Sequence, residues 1–342
     1  MKNINNIINN KSAKTENFIW LMRQAGRYLP EYQKIRANHN NFVEFCYAVD
    51  DVVTVTLQPI ERFDFDAAII FSDILLILDV LGAKVEFIPG FGPKITADFT
   101  QFIKHQDTDL EDLISTKLSK VYEAITLTRK ELAPEKSLIG FVGAFWTLFA
   151  YLIEGGSSKN WHKAKEFYYK EPQKFSAIKN ILEKSLIIHL RNQAKAGCDI
   201  IKIFDSWAGI LTKSQITNLV IEPTKNILDG LADINVTKIC FPRGIGSSYQ
   251  EFCNLNFDIY ALDYTEDINI AQDIYHKYRK IPQGNLDPAL LLLDDYQFAA
   301  QEITKILAVT QDIPAIFNLG HGILPETKIT NVEKLVTQIR SI

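Results

Sequence analysis

Short runs of apolar, β-branched residues alternate along this chain with longer stretches whose apolar positions recur at helical spacing. Eight short runs read as strands: Phe18–Met22, Ala67–Phe71, Leu138–Val142, Asp199–Phe204, Val236–Phe241, Ile259–Asp263, Lys280–Gly284 and Ala315–Leu319. Such runs suit a parallel sheet covered on both faces. Between them the period predicts helices, among them Phe42–Arg62, kinked or stopped near Pro59, Trp161–Ala196, Thr212–Ala232 and Tyr296–Val309. Strands alternating with helices through eight units predict an α/β fold, a single (β/α)8 barrel of the TIM type with parallel strands and outer helices. No repeat, low-complexity linker or compositional break divides the chain, so one barrel over residues 17–342 fits better than two domains. Residues 1–16, rich in Asn, Ile and Lys, read as a disordered or loosely attached extension.

Composition narrows the partners. A chain of 342 residues that is 47% hydrophobic can bury a large core. Its net charge of −4 argues against nucleic acid or an anionic membrane as the main partner, so any basic site has to be local. Cys46, Cys198, Cys240 and Cys253 show no Cys-x-x-Cys spacing and suit a reducing, intracellular setting. The N-terminus has neither a continuous apolar h-region nor an Arg-rich amphipathic pattern. The longest apolar region, Ala67–Ile88, is interrupted by Asp73, Asp79 and Lys84 and is too polar for a membrane span. The expectation is a cytoplasmic protein with a small-molecule substrate.

In a parallel barrel the chemistry sits in the loops after the strands, which focuses attention on a few residues. Arg23 and Arg27 lie four apart around a glycine just after the first strand, and Arg36 follows nine residues later. Two guanidiniums held together suit more than one carboxylate, because each offers a planar fork of donors and neither can shed its proton. The alternative is a solvated basic face, against which stand the apolar neighbours Leu21, Met22, Ala25 and Gly26. Asp73 is embedded between Ala-Ala-Ile-Ile-Phe-Ser and Ile-Leu-Leu-Ile, where an acid is either a helix cap or kept for function. Tyr151, read alone, is a core tyrosine with a satisfied hydroxyl. Ser206 lacks the Gly-x-Ser-x-Gly elbow of a nucleophile, and His321 lies between two glycines that let backbone approach a ligand.

Six motifs then carry a resemblance: Met22-Arg23-Gln24-Ala25-Gly26-Arg27-Tyr28-Leu29-Pro30-Glu31, Phe71-Ser72-Asp73-Ile74-Leu75, Gly140-Phe141-Val142-Gly143-Ala144, Phe204-Asp205-Ser206-Trp207-Ala208-Gly209, Gln283-Gly284-Asn285-Leu286-Asp287-Pro288 and Asn318-Leu319-Gly320-His321-Gly322-Ile323-Leu324-Pro325. Together, in this order, they resemble the uroporphyrinogen decarboxylase family, enzymes of haem biosynthesis that convert the four acetate side chains of uroporphyrinogen III to methyls and give coproporphyrinogen III. The resemblance implies a homodimer and a reaction without cofactor or metal. It implies that Asp73 receives the pyrrole N–H groups and stabilises a cationic intermediate. Arg23, Gln24, Arg27, Arg36, Asp73, Tyr151, Phe204, Ser206 and His321 are the implied substrate contacts, with Asp73, Arg23, Arg36 and Tyr151 acting in catalysis. The proton donor stays open among Arg23, Arg36, Tyr151, His321 and water. Three departures touch loop and helix starts: Phe145 and Lys328 stand where the family has proline, and Cys46–Val53 lacks a Lys-Thr-Pro-Glu run.

Two rival readings fit the residues less well. Corrinoid-linked methyltransferases share the fold but bind zinc through a His-x-Cys pair and a later Cys, where this chain reads Lys238-Ile239-Cys240 and Gly320-His321-Gly322. A catalytically dead barrel used for binding predicts the loss of a polar site residue, and each of the seven from Arg23 to His321 is present.

Overall fold

The computed structural model describes Ile4, residues 17–88 and residues 90–341. Within them run β1 (Phe18–Ile19), β2 (Ala67–Ile69), β3 (Lys84–Ile88), β4 (Gly92–Thr96), β5 (Ser137–Gly143), β6 (Ile200–Asp205), β7 (Thr237–Pro242), β8 (Ile259–Ala261), β9 (Ile281–Gln283) and β10 (Ile316–Phe317). Eight of these form one parallel sheet in the order β1-β10-β9-β8-β7-β6-β5-β2, with helices between successive strands. The sheet curls into a nearly closed barrel, and every expected strand run overlaps one of its strands.

Alternate positions of each strand face two ways. One set, including Phe18, Ile69, Ile139, Ile200, Ile239 and Ile281, fills the barrel interior, while the other set packs under the helices. Ile4 is fully buried in the interior cluster. The rest of the extension expected over residues 1–16 lies outside the described residues.

The helices differ from expectation at their breaks. Phe42–Arg62 divides into Phe42–Cys46 and Val49–Phe63, and the second passes through Pro59 and ends at Asp64 in the left-handed conformation. Proline removes only its own donor, and the packed, buried face of this helix carries it past that point. Trp161–Ala196 divides where Pro172 opens a 25-residue helix, Pro172–Ala196. Thr212–Ala232 contains a π-helical turn, Thr217–Ile221. The antiparallel hairpin of β3 and β4 was not expected, because its strands are short and only Val85 and Ile95 are buried among their described residues.

Closure of the barrel rests on Asp66. As the two ends of the sheet order, β1 and β2 share no strand ladder. Asp66 bridges them: its N–H donates to the Ile19 carbonyl at 2.9 Å, and its Oδ2 accepts the Ile19 N–H at 2.7 Å. Its Oδ1 accepts from Arg340 Nη2 at 2.8 Å, which ties the last helix to the same point. Gln24 continues the seam, accepting from Leu21 N–H at 3.1 Å and donating to the Ala67 carbonyl at 3.0 Å. Asp66→Ala would leave the Ile19 N–H without its side-chain acceptor and take from Arg340 its one anionic partner among the described residues, leaving it the Asn17 and Asp64 carbonyls; removing one partner of a buried charge-assisted network costs on the order of 3 kcal/mol. The expected outcome is a matching fall in unfolding free energy, read from the urea midpoint at constant slope; an unchanged midpoint would remove Asp66 from the closure.

Candidate active site

The residues singled out by sequence sit where the strands end. Arg23 follows β1 in the left-handed conformation, with φ of 62°. Its side chain runs along the loop after β10: a Cβ at Gly322 would fall 2.5 Å from Arg23 Cδ, so only glycine leaves room. The two loops are tied at Met22, whose N–H donates to Asn318 Oδ1 and whose carbonyl accepts from Ile323. Arg23 and Arg27 are exposed, and neither guanidinium has a hydrogen-bond or ion-pair partner among the described residues. Gln24 behaves differently: it is fully buried and its amide is turned into the β1/β2 seam. Arg36 ends the helix Pro30–Arg36, donates to the His39 carbonyl and lies over the Phe42 ring at 5.8 Å.

Asp73 follows β2. Its Oδ1 accepts the Leu75 N–H at 2.8 Å in a local turn just before the short helix Leu76–Val80, whose N-cap is Leu75, while Oδ2 has no hydrogen-bond partner among the described residues. The turn uses one oxygen and leaves the other free. Burial raises the Asp73 carboxyl above its ordinary range, opposed by the Leu75 N–H and by the charge of Arg23. Cys46 is buried within the fields of both Asp73 and Arg36.

Tyr151 lies on the helix Phe145–Glu154 after β5, its ring 5.1 Å from Trp161 and 6.3 Å from Trp207. Burial raises its phenol pKa, tempered by Trp207 and Ser157, while Asp73 and Arg23 act on it with opposite signs. Phe145 takes the first turn of this helix, where the N–H needs no intrahelical acceptor, so the helix starts without the family's proline. In the same way the helix Ile329–Arg340 starts directly after Lys328. The far end of Tyr151's helix is braced by the hairpin: Ile95 N–H donates to the Gly155 carbonyl at 2.9 Å, and Lys94 bridges Gly156.

Phe204 of β6 packs edge-on against Phe141 and Phe241 to form the floor. Ser206 follows it, partly exposed, with no hydrogen-bond partner among the described residues. His321 stands 6.5 Å from the Phe241 ring, and burial, with Arg23 and Arg243 nearby, pushes its pKa down to about 3, so it is neutral at physiological pH. Arg23, Asp73, Tyr151 and His321 are thus electrostatically coupled, and Phe204 and Ser206 border the same mouth.

Three groups escaped the sequence reading. Arg243 follows β7 in Phe-Pro-Arg-Gly and donates from Nη2 to Tyr264 Oη at 3.2 Å. Lys202 is fully buried under the floor, its Nζ 4.8, 4.6 and 5.3 Å from the ring centroids of Trp20, Phe204 and Phe241, with no hydrogen-bond partner among the described residues. Burial drives its pKa far down. Asp205, at the end of β6, accepts the Thr147 hydroxyl at 2.6 Å, and Thr147 in turn accepts the Trp207 N–H at 3.3 Å, which fixes the turn carrying Ser206. Its place at the end of a strand, next to Ser206, was the one available signal. Among the described residues no group of three or more His, Cys, Asp or Glu converges as a metal site would, and no helix is long and apolar enough to cross a membrane.

An eight-stranded parallel barrel with polar and charged residues gathered in its strand-end loops defines a TIM-barrel enzyme. A family model for uroporphyrinogen decarboxylase (URO-D) matches residues 4–342. A uroporphyrinogen decarboxylase from Rickettsia bellii (strain RML369-C) is 45% identical over 326 residues, covering 94% of each chain. One from Orientia tsutsugamushi (strain Ikeda) is 44% identical over 338 residues, covering 97% of this chain and 96% of its own. Among solved structures, a methyltransferase from Methanosarcina mazei superposes with a TM-score of 0.74 at 16% identity, over 97% of this chain and 94% of its own, a likeness of fold. The chain belongs to the uroporphyrinogen decarboxylase family.

Asp205 gives a pH-dependent prediction. Burial raises its carboxyl to about 7 from an ordinary 3.8. Between those values the folded protein keeps a proton that the unfolded chain has lost, so the native state is favoured at low pH and that advantage is lost as pH rises to about 7. Asp205→Asn keeps an acceptor for Thr147 and does not ionise. Its melting temperature should match the parent at pH 4 and exceed it above pH 7, by an amount corresponding to a few kcal/mol, roughly 1.4 per pKa unit. Parallel melting curves across this range would refute the assignment.

Proposed function

We propose that the chain removes carbon dioxide from the four acetate side chains of uroporphyrinogen III, giving coproporphyrinogen III, with the pyrrole ring itself as the electron sink. A proton added at a ring carbon makes a cation conjugated with the acetate carbon. The bond to the carboxylate then breaks, its electron pair neutralises the cation, and an exocyclic methylene is left. Protonation of the methylene and loss of the ring proton give the methyl group. The protein has to hold a flexible polyanion in one pose and keep negative charge beside the transient cation.

The observation that carries this reading is Asp73, whose one oxygen is capped by Leu75 N–H while the other is free in the mouth beside Arg23. The free oxygen accepts the pyrrole N–H groups, and its charge offsets the cation. Arg23 and Arg27, with unpaired forks, grip carboxylates, with Arg36 beside them; Tyr151 and Ser206 supply hydroxyls at the opposite border, and Phe204 supports the macrocycle. Gln24 acts through the seam that positions Arg23. His321, being neutral, serves as a hydrogen-bonding partner rather than the acid.

Asp73→Asn separates the two tasks of this residue. The amide oxygen still caps Leu75, so the melting temperature should hold. Turnover should fall about a hundredfold or more, as when one preorganised electrostatic partner is removed. Near-normal turnover would sink the catalytic role. Since the substrate supplies the electron sink, dialysis against chelator should leave turnover intact; activity that disappears and returns on adding a metal would overturn the mechanism.

A further inference from the structure

The geometry points to Arg243 as a second carboxylate grip, on the side of the mouth opposite Arg23 and Arg27, that binds a side-chain carboxylate of the macrocyclic substrate. This rests on the functional reading above. In the strand order β7 lies four strands from β1, half the circuit of an eight-stranded barrel. Arg243 is anchored there by its backbone: its N–H donates to the Asp205 carbonyl at 3.1 Å, and a Cβ at Gly209 would fall 3.0 Å from the Arg243 carbonyl oxygen. The residue therefore stands beside the turn carrying Ser206. On its other side Tyr264 N–H donates to the Gly320 carbonyl at 3.3 Å, next to His321. Arg243 joins these two loops at the rim of the floor.

Its guanidinium is held but not used up. Tyr264 takes Nη2, and Asp263 Oδ2 lies 3.4 Å from Nε without hydrogen-bonding geometry. Asp263 has its own donors, the Thr265 N–H and hydroxyl, so it does not need Arg243 to satisfy its oxygens. Asp263 is 2% exposed and Arg243 24%, so the pair is a buried anion holding a cation that opens toward solvent. Nη1 has no partner among the described residues. His321, the nearest titratable group on the facing loop, is neutral and does not compete for an anion. A fixed guanidinium with a free edge, oriented by an aromatic hydroxyl and backed by a buried carboxylate, suits a planar carboxylate and is wasted on a solvated surface. Uroporphyrinogen carries acetates and propionates around its whole rim, so a macrocycle gripped by Arg23 and Arg27 presents others to Arg243.

The test is steady-state kinetics of Arg243→Lys, which keeps the charge beside Asp263 and removes the fork. The expected result is an increase in KM for uroporphyrinogen of about fivefold to tenfold at a kcat within about twofold, with the melting temperature retained, as loss of uniform binding requires. Tyr264→Phe, which loosens the fork without touching the ion pair, should raise KM about twofold and carries the same test if the first variant folds poorly. Inhibition by coproporphyrinogen distinguishes the two sources of carboxylate. A weakened inhibition constant in Arg243→Lys identifies a propionate, and an unchanged one, together with raised KM, identifies an acetate. Unchanged KM in both variants, or a fall in kcat at constant KM, overturns the proposal. Failure of the parent protein itself to release coproporphyrinogen would instead overturn the functional reading.

Discussion

A sheet of eight strands becomes a barrel only if its first and last edges meet, and here one residue, Asp66, makes that junction with both its carboxylate and its main-chain N–H. Asp66 substitutes for a missing rung of the ladder between β1 and β2, accepting from Ile19 and Arg340 while its own N–H returns to Ile19. Gln24 extends the join toward the mouth. Because Arg23 follows β1 and Asp73 follows β2, the distance between the two opposite charges at the heart of the site is set by this seam. The one junction of the barrel without a strand ladder and the Arg23–Asp73 pair occupy the same side of the barrel.

The mouth itself is an exercise in uneven solvation. Arg23 and Arg27 stay exposed and without partners among the described residues, while Asp73 keeps one oxygen bonded and one free in a site that penalises its charge. His321 lies between the fields of two arginines and is held without charge. Arg23, Arg27 and Arg243 around a neutral imidazole outnumber the carboxylates of Asp73 and Asp263, which gives the site a net attraction for polyanions even though the chain as a whole is acidic.

The strands and the strand-end positions of the site were legible because both follow from local pattern: buried parallel strands are continuous apolar runs, and chemistry follows their ends. Helix boundaries were less so. The break at Tyr47 and Ala48 and the passage through Pro59 depend on what each face packs against rather than on the residues themselves. Asp73 offered helix cap or catalysis as alternatives; the helix starts only at Leu76, and the turn that Asp73 closes with Leu75 uses one of its two oxygens. Gln24 shows the opposite failure: a polar residue between Arg23 and Arg27 whose side chain faces away from the mouth. Arg243 gave no sequence signal, since its partners Asp263 and Tyr264 are twenty or more residues away and meet it only when β7 and β8 pair.

The hairpin of β3 and β4 has a consequence for the shape of the opening. Its second strand is stitched to Gly155 and Gly156, and at Gly156 any side chain would strike the Pro93 carbonyl. Tyr151 thus projects from a helix whose end is pinned by main chain rather than by side chains. Along that border the aperture is cut by polypeptide backbone, so its width is insensitive to rotamer changes, and steric discrimination there is inherited from the path of the chain.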